Sequence, residues 1–468
     1  MSDFDFRQWS HRTADWSADY LENIRQRPVR AQTNLGDTAT QIAESPPEAS
    51  EAMEEIFADF ERIIPDAMTH WQHPGFFAYF PANAAPAAII ADQLATAMAS
   101  QCMLWQTSPA ATELEIKMVD WLRQALGLPE DFKGSFQDSA SSSSLCAILT
   151  MREQALQWAG NKHGLAGQSR VRIYASHHTH SSIDKAIWVA GIGQDNLVKI
   201  PVDADMAMNV GALRKAIAED RAAGHLPAGI VICIGGTSVG ASDHAGPICE
   251  LARQEGLMTH VDAAWAGSAM ICPEFRPLWH GVEMADSIVF NPHKWLGAPF
   301  ECSAHFIREP EDVMRTLSIH PEYLKTYGQE GIVNFSDWSV QLGRRFRALK
   351  VWFLLRAYGL EGLRERIRNH VAWADELAKR LGNQTDFEIT SEPILSLFSF
   401  RFNPVGSKDL DKLNLALVNR INDDGEIYLT QSDHEGNLVI RFQIGQFDCT
   451  HDDIDKAFDV ITTTARSL

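Results

Sequence analysis

Phe6, Trp9, Thr13, Trp16, Tyr20 and Ile24 recur at steps of three and four, which predicts a first helix with a mainly aromatic face. Such a face must be covered, either by its own chain or as a terminal arm laid over a partner subunit. A proline-containing link, "ESPPEAS", leads to a second amphipathic helix with Met53, Ile56, Phe57, Phe60, Ile63 and Ile64 on one side and Pro65 near its end. From about Lys133 the pattern changes to short apolar runs: "VRIYAS", "NLVKI", "GIVICIGG", "LMTHVDAA", "SIVFN" and "SAHFI", separated by segments of helical length. That alternation predicts an α/β fold with a mainly parallel sheet flanked by helices. After Arg344 come a long helical stretch, strand-like "ILSLFSFRF", a helix, "EIYLT", "NLVIRFQI" and a closing helix, the outline of a small α+β domain. The expected segments are an N-terminal helical segment at 1–85, a large α/β domain at 86–343 and a small α+β domain at 344–468.

Length and charge narrow the function. A chain of 468 residues buries a substantial core in two or three units, as an enzyme would. Its net charge of −20 argues against nucleic acid or an anionic membrane surface as a partner and leaves small molecules. The N-terminus lacks the basic start and apolar core of a signal peptide, and the apolar stretch "AAPAAIIADQLATAMAS" is broken by Asp92 and Gln93, so a cytoplasmic location is expected. The 7 cysteines stand singly, without a CxxC pair, which suits reduced thiols and indicates neither a disulfide framework nor a zinc knuckle.

Parallel sheets bind ligands where their strands finish. Four predicted strands finish at chemically useful residues: His180, Thr237, Asp262 and Lys294. A strand-end lysine with an aspartate at the end of an earlier strand is the pair that pyridoxal phosphate (PLP) requires. The lysine forms a Schiff base and the carboxylate keeps the ring nitrogen protonated. In "GSFQDSASSSSLCAILT" a serine-rich turn opens into a helix, and Ser139, Ala140 and Ser141 are placed to hold a phosphate there. An N-cap with solvated serines is the plainer reading of any one of them. His177, His178 and His180 lack a cluster of acids or cysteines at ligand spacing, so no metal is expected; an imidazole stacked on a cofactor ring accounts for one of them better.

These residues carry a resemblance. "HWQHPGFFAYFPA", "SPAATELE", "SASSSSL", "HTHSSIDKA", "HVDAAWAGSAMICPEFR", "FNPHKW", "HPEYLK", "LGRRFRALK" and "LVIRFQI" follow in the order seen in the PLP-dependent group II decarboxylases. The chain resembles the aromatic L-amino acid decarboxylases most closely, over essentially its whole length. The resemblance implies a fold type I PLP enzyme of the aspartate aminotransferase-like kind. It further implies a homodimer with active sites at the subunit interface and a helical arm wrapping the partner. It makes Lys294 the cofactor-bearing lysine, Asp262 the partner of the ring nitrogen and His180 the stacked imidazole. Ser139, Ala140, Ser141, His293 and Asn291 would hold the phosphate, with Thr237 near the ring hydroxyl and Ala264 beneath the ring. Tyr323, in a loop with Gly328 and Gly331, would protonate the substrate Cα after carbon dioxide leaves. Relatives that form aldehydes typically lack that tyrosine, so its presence favours simple decarboxylation.

By the same resemblance Trp71, Tyr79, Phe80, Pro81 and Phe300 build an aromatic-lined pocket, Gln101 and Met103 contribute to it, and Arg441 lies near the substrate carboxylate. Such walls favour flat apolar side chains. The expected substrate is tryptophan, tyrosine, phenylalanine or 3,4-dihydroxyphenylalanine, turned into its amine. An aldehyde-forming relative, a histidine decarboxylase and a cofactor-binding homologue with an interactive role are the alternatives. Ala82, where the animal enzymes have a threonine, weakens the case for catechol recognition, while Met103 gives an adaptable wall and Gly343 leaves room for an indole. The named pocket positions offer no second cation, which argues against acidic substrates. The serines at 141–144 replace the acid often found after the phosphate-binding serine, a departure that bears on how the cofactor is seated.

Overall fold

The central strands form because their runs of apolar residues can be buried on both faces at once, as parallel strands covered by helices must be. In a computed structural model that describes residues 4–319 and 331–468, seven strands build this sheet. They are β1 (Lys133–Gln137), β2 (Val171–Ser176), β3 (Leu197–Ile200), β4 (Leu226–Cys233), β5 (Met258–Asp262), β6 (Ser287–Phe290) and β7 (Ser303–Ile307), in the order β1-β7-β6-β5-β4-β2-β3. β6, β5, β4, β2 and β3 run parallel, and β7 lies antiparallel to both β6 and β1. Every residue of β5, β6 and β7 is buried. The expected mainly parallel α/β sheet is therefore present, with β7 as its reversed member.

The chain divides into two compact units, Met1–Pro81 with Trp373–Glu392 and Phe398–Leu468, and Ala82–Ala372 with Pro393–Leu397. By compactness the chain passes between the units at 81/82, 372/373, 392/393 and 397/398. The second of these falls inside the helical run Arg347–Gly382, which is two helices joined across Gly359 (φ 63°).

The first unit holds a second sheet, ordered β10-β11-β9-β8, from β8 (Phe387–Ile394), β9 (Leu397–Phe402), β10 (Thr430–His434) and β11 (Asn437–Gln443). β10 and β11 form a hairpin whose turn residues Glu435 (φ 53°) and Gly436 (φ 78°) are both left-handed, the geometry that matches strand twist. Its core gathers Phe77, Phe398, Phe400 and Phe442 against Leu417 and Ile461. In the same unit the predicted first two helices are observed at Phe6–Glu22 and Met53–Ile63. They share an aromatic seam, with Trp9 against Phe57 at 5.4 Å and Trp16 against Phe60 at 4.8 Å between ring centres. Their own chain thus covers part of the aromatic face, while Phe6 and Ile56 stay exposed.

Candidate active site

The strand order sets four adjacent parallel C-terminal ends side by side, those of β6, β5, β4 and β2. Cys233, the last residue of β4, pairs with Asp262, the last of β5, and Asp262 pairs with Val289 of β6. Lys294 follows β6 in a single π-helical turn, Pro292–Leu296, closed by Gly297 in the left-handed region (φ 110°). Thr237 follows β4 and is half-buried, and His180 follows β2 with an exposed ring. Asp262 is buried, and its Oδ1 accepts the Ala264 backbone N–H at 3.1 Å. Buried Asn291 donates its backbone N–H to the Ala264 carbonyl at 2.8 Å, joining the β5 and β6 loops.

These groups act on one another electrostatically. Desolvation by the protein around it lowers the pKa of His180 although the residue stays open to solvent on one side; the charge of Asp262 opposes that shift and the charge of Lys294 adds to it. His180 Nδ1 accepts the Ser182 backbone N–H at 3.1 Å, so the neutral ring carries its proton on Nε2. Buried His293 uses Nδ1 to accept the Cys302 N–H at 2.9 Å, and burial, with the Lys294 charge, pushes its pKa down to about 3. Its Nε2–H is left as a donor.

Ser139 is the N-cap of the helix Ala140–Ala155, and its Oγ accepts from Ser142 N at 3.3 Å. The first-turn N–H groups and the helix dipole of a helix this long suit an anion. Ser139 Oγ also donates to Asp138 Oδ1 at 2.9 Å, and Gln341 Nε2 donates to Asp138 Oδ2 at 2.9 Å, contacts that sequence reading did not foresee. The donor set fits PLP: helix N–H groups and a neutral histidine for phosphate, a carboxylate for the ring nitrogen, an exposed imidazole for the ring face and a lysine amine on a fixed turn.

Of the substrate-side residues in this unit, Phe300 is exposed and lies 4.7 Å from the His293 ring. Gln101 Oε1 accepts the backbone N–H groups of Met103 (3.1 Å) and Arg344 (3.2 Å). A Cβ on Gly343 would stand 3.4 Å from Gln101 Nε2, so the missing side chain leaves space beside that residue. Trp71, Tyr79, Phe80, Pro81 and Arg441 belong to the first unit and form a cluster there. Trp71 and Tyr79 stack at 5.5 Å, Arg441 lies 4.5 Å over the Phe80 ring and donates to the Tyr79 carbonyl, and burial lowers its pKa to about 9. Tyr323 and Gly328 lie outside the described residues.

Sequence reading missed the groups that hold the lysine turn. Asn83 Nδ2 donates to the Lys294 carbonyl at 2.8 Å and Asn83 N to the His293 carbonyl at 3.2 Å. Arg366 Nη2 donates to the carbonyls of Trp295 and Leu296, each at 2.8 Å. Trp295 Nε1 donates to His370 Nδ1 at 2.9 Å. Elsewhere, Glu376, His451 and Asp455 bring three potential metal ligands within 4.8 Å of one another, but Arg380 pairs with both carboxylates and supplies the countercharge.

Comparison with known proteins places the chain in a family. The family model of the pyridoxal-dependent decarboxylase conserved domain matches residues 36–403. Aromatic-L-amino-acid decarboxylase of Catharanthus roseus is 36% identical over 98% of this chain and 93% of that protein. Phenylacetaldehyde synthase of Petunia hybrida is 36% identical over 99% and 95%. The crystal structure of Oryza sativa TDC with PLP and tryptamine superposes with a TM-score of 0.96 at 32% identity, covering 100% of this chain and 99% of that one. A model match over most of the chain and full-length relatives at 36% identity show that this chain belongs to the pyridoxal-dependent decarboxylase family.

Proposed function

We propose that this protein decarboxylates an aromatic L-amino acid, tryptophan, tyrosine, phenylalanine or 3,4-dihydroxyphenylalanine, to the corresponding amine and carbon dioxide. The observation that carries the reading is that buried Asp262 ends β5 and Lys294 follows the adjacent parallel strand β6, with His180 after β2 in the same row of strand ends. When bound, pyridoxal phosphate supplies the electron sink for the breaking C–C bond. Lys294 Nζ gives the covalent attachment point, and Asp262 provides the negative charge that retains a proton on the ring nitrogen. His180 offers its flat exposed ring with Nδ1 already engaged, so it stacks without competing for that proton. The Ser139 cap, the Ala140 and Ser141 N–H groups, His293 Nε2–H and Asn291 orient the phosphate, with Thr237 and Ala264 beside the ring. Trp71, Tyr79, Phe80, Pro81, Gln101, Met103, Phe300 and Arg441 keep the substrate-side roles, and Tyr323 the proton delivery to Cα, that the resemblance gives them.

The identity of 36% to a phenylacetaldehyde synthase supports a second reading, in which the product is an aldehyde. No helix among the described residues is long and apolar enough to cross a membrane. Seven buried, unbridged cysteines favour a reducing, cytoplasmic setting. Ile90 and Leu94, one turn apart on the helix Pro86–Ala97, and Met98 at its C-cap are all exposed, which favours a homodimer. Incubating the purified protein with PLP and each candidate amino acid, with histidine and glutamate as controls, tests the reading. An aromatic amine is expected; turnover of histidine or glutamate alone would refute it.

A further inference from the structure

The turn that presents Lys294 is a single short one. Its π-type closure runs from Gly297 N to the Pro292 carbonyl at 3.1 Å, a carbonyl that Ala298 N also reaches at 3.0 Å, and such turns are rare and frequent at functional sites. Where the Lys294 side chain points therefore depends on what clamps the turn from outside.

Trp295, the residue after the lysine, is fully buried. Trp265 stacks on its face at 5.2 Å and 17°, while His370 lies nearly coplanar with it (8°, centres 6.3 Å apart) at the edge that carries the indole N–H. Trp265 stands three residues after Asp262, so the stack ties the loop bearing the acid to the turn bearing the amine. An indole only donates, so His370 Nδ1 must accept and the imidazole must be neutral with its proton on Nε2. Complete burial holds the His370 pKa well below its ordinary value, so this contact persists across the usual assay range. Arg366, one helical turn earlier on the same helix, caps the carbonyls of Trp295 and Leu296.

We propose that His370 is a positioning residue for Lys294, locking Trp295 so that the π turn holds the amine in register with Asp262. The proposal rests on the reading of Lys294 as the cofactor-bearing lysine. A core histidine with no such role would affect stability alone.

The test compares H370F, which fills the slot without an acceptor, with H370Q, which keeps one, and with W295F, which removes the donor. PLP affinity is measured by titrating unloaded protein. The induced visible circular dichroism reports how the bound cofactor is held, borohydride reduction with peptide mass spectrometry locates it, and the urea midpoint controls for stability. H370F and W295F should each weaken PLP binding by about tenfold or more and diminish the dichroism, because small misplacements of a reacting group are costly. H370Q should stay near the unaltered protein, and H370F/W295F should be no worse than either single change. Wild-type affinity and dichroism in H370F, or losses that multiply in the double variant, would overturn the proposal. If H370F does not fold, unchanged affinity and dichroism in W295F overturns it instead. Absence of trapped cofactor on Lys294 in the unaltered protein would overturn the functional reading as well, whereas trapped cofactor with an indifferent H370F sinks only this inference.

Discussion

Glu115 and Arg344 form an ion pair almost wholly removed from water, with 3% and 2% of their side chains exposed. Arg344 Nη2 meets Glu115 Oε1 at 2.5 Å and Nη1 meets Oε2 at 3.2 Å, a bidentate fork. The same guanidinium donates to the carbonyls of Cys102 and Phe136, and Glu115 Oε1 accepts the Phe136 N–H at 2.8 Å. The pair therefore pins the Gln101–Met103 segment to β1. Replacing Glu115 by Leu leaves a buried cation without countercharge, at about 3–5 kcal/mol, and strands a buried N–H worth about 1–3 kcal/mol. Because these losses overlap, about 5 kcal/mol is expected in all. Arg344→Met should cost about 3–4 kcal/mol, since its orphaned carboxylate keeps the Phe136 N–H. The double variant has no lone charge and should lose only about 2–3 kcal/mol, giving a coupling of several kcal/mol in a double-mutant cycle read by urea denaturation. Its loaded form should show a raised KM more than a lowered kcat. Single losses that simply add, to within about 0.5 kcal/mol, would refute the reasoning.

Acidification should destabilise the second unit. Burial holds His260 and His370 well below the ordinary imidazole range and His293 and His305 at about 3, so the unfolded chain takes up protons first. Stability is complete above about pH 6.5 and falls as pH drops, by about 1.4 kcal/mol per unit for each histidine. Asp243, raised by burial to about 6, has the opposite sign between about pH 4 and 6 and offsets one of the four. A urea midpoint that stays flat from pH 7 to 5 would contradict this. Ser139→Ala removes the N-cap contact and should cost about 1 kcal/mol while weakening PLP binding; a loss of stability with unchanged affinity would remove Ser139 from the phosphate site. Asp262→Asn should retain folding and cofactor binding but slow turnover by orders of magnitude, since a neutral amide cannot hold the ring proton as a carboxylate does; steady-state kinetics decides it.

β2, β4 and β6 were legible because each is rich in β-branched and apolar residues and stands between helical segments. β1 (Lys-Gly-Ser-Phe-Gln) and β10 (Thr-Gln-Ser-Asp-His) were not, because both are end strands of their sheets and their polar side chains carry no such signal. The strand-like "EIYLT" becomes only an isolated bridge from Tyr428 to Phe76, with β10 starting at Thr430. β8, whose burial is broken along its length, merged in the reading with the apolar run of β9. Lys294 and Asp262 stood out because few chemistries need that pair at strand ends. Asn83 and His370 did not, lying 211 and 75 residues from the backbone and ring they hold. Support for a site is written in tertiary contacts, and no local period announces it.

The most direct test is to supply the loaded protein with carboxyl-labelled L-tryptophan and L-tyrosine and count labelled carbon dioxide, amine and aldehyde together. One amine for each carbon dioxide, with both lost in Lys294→Ala, is the predicted result. Aldehyde and ammonia in place of amine, or release of carbon dioxide that survives the loss of Lys294, would contradict it.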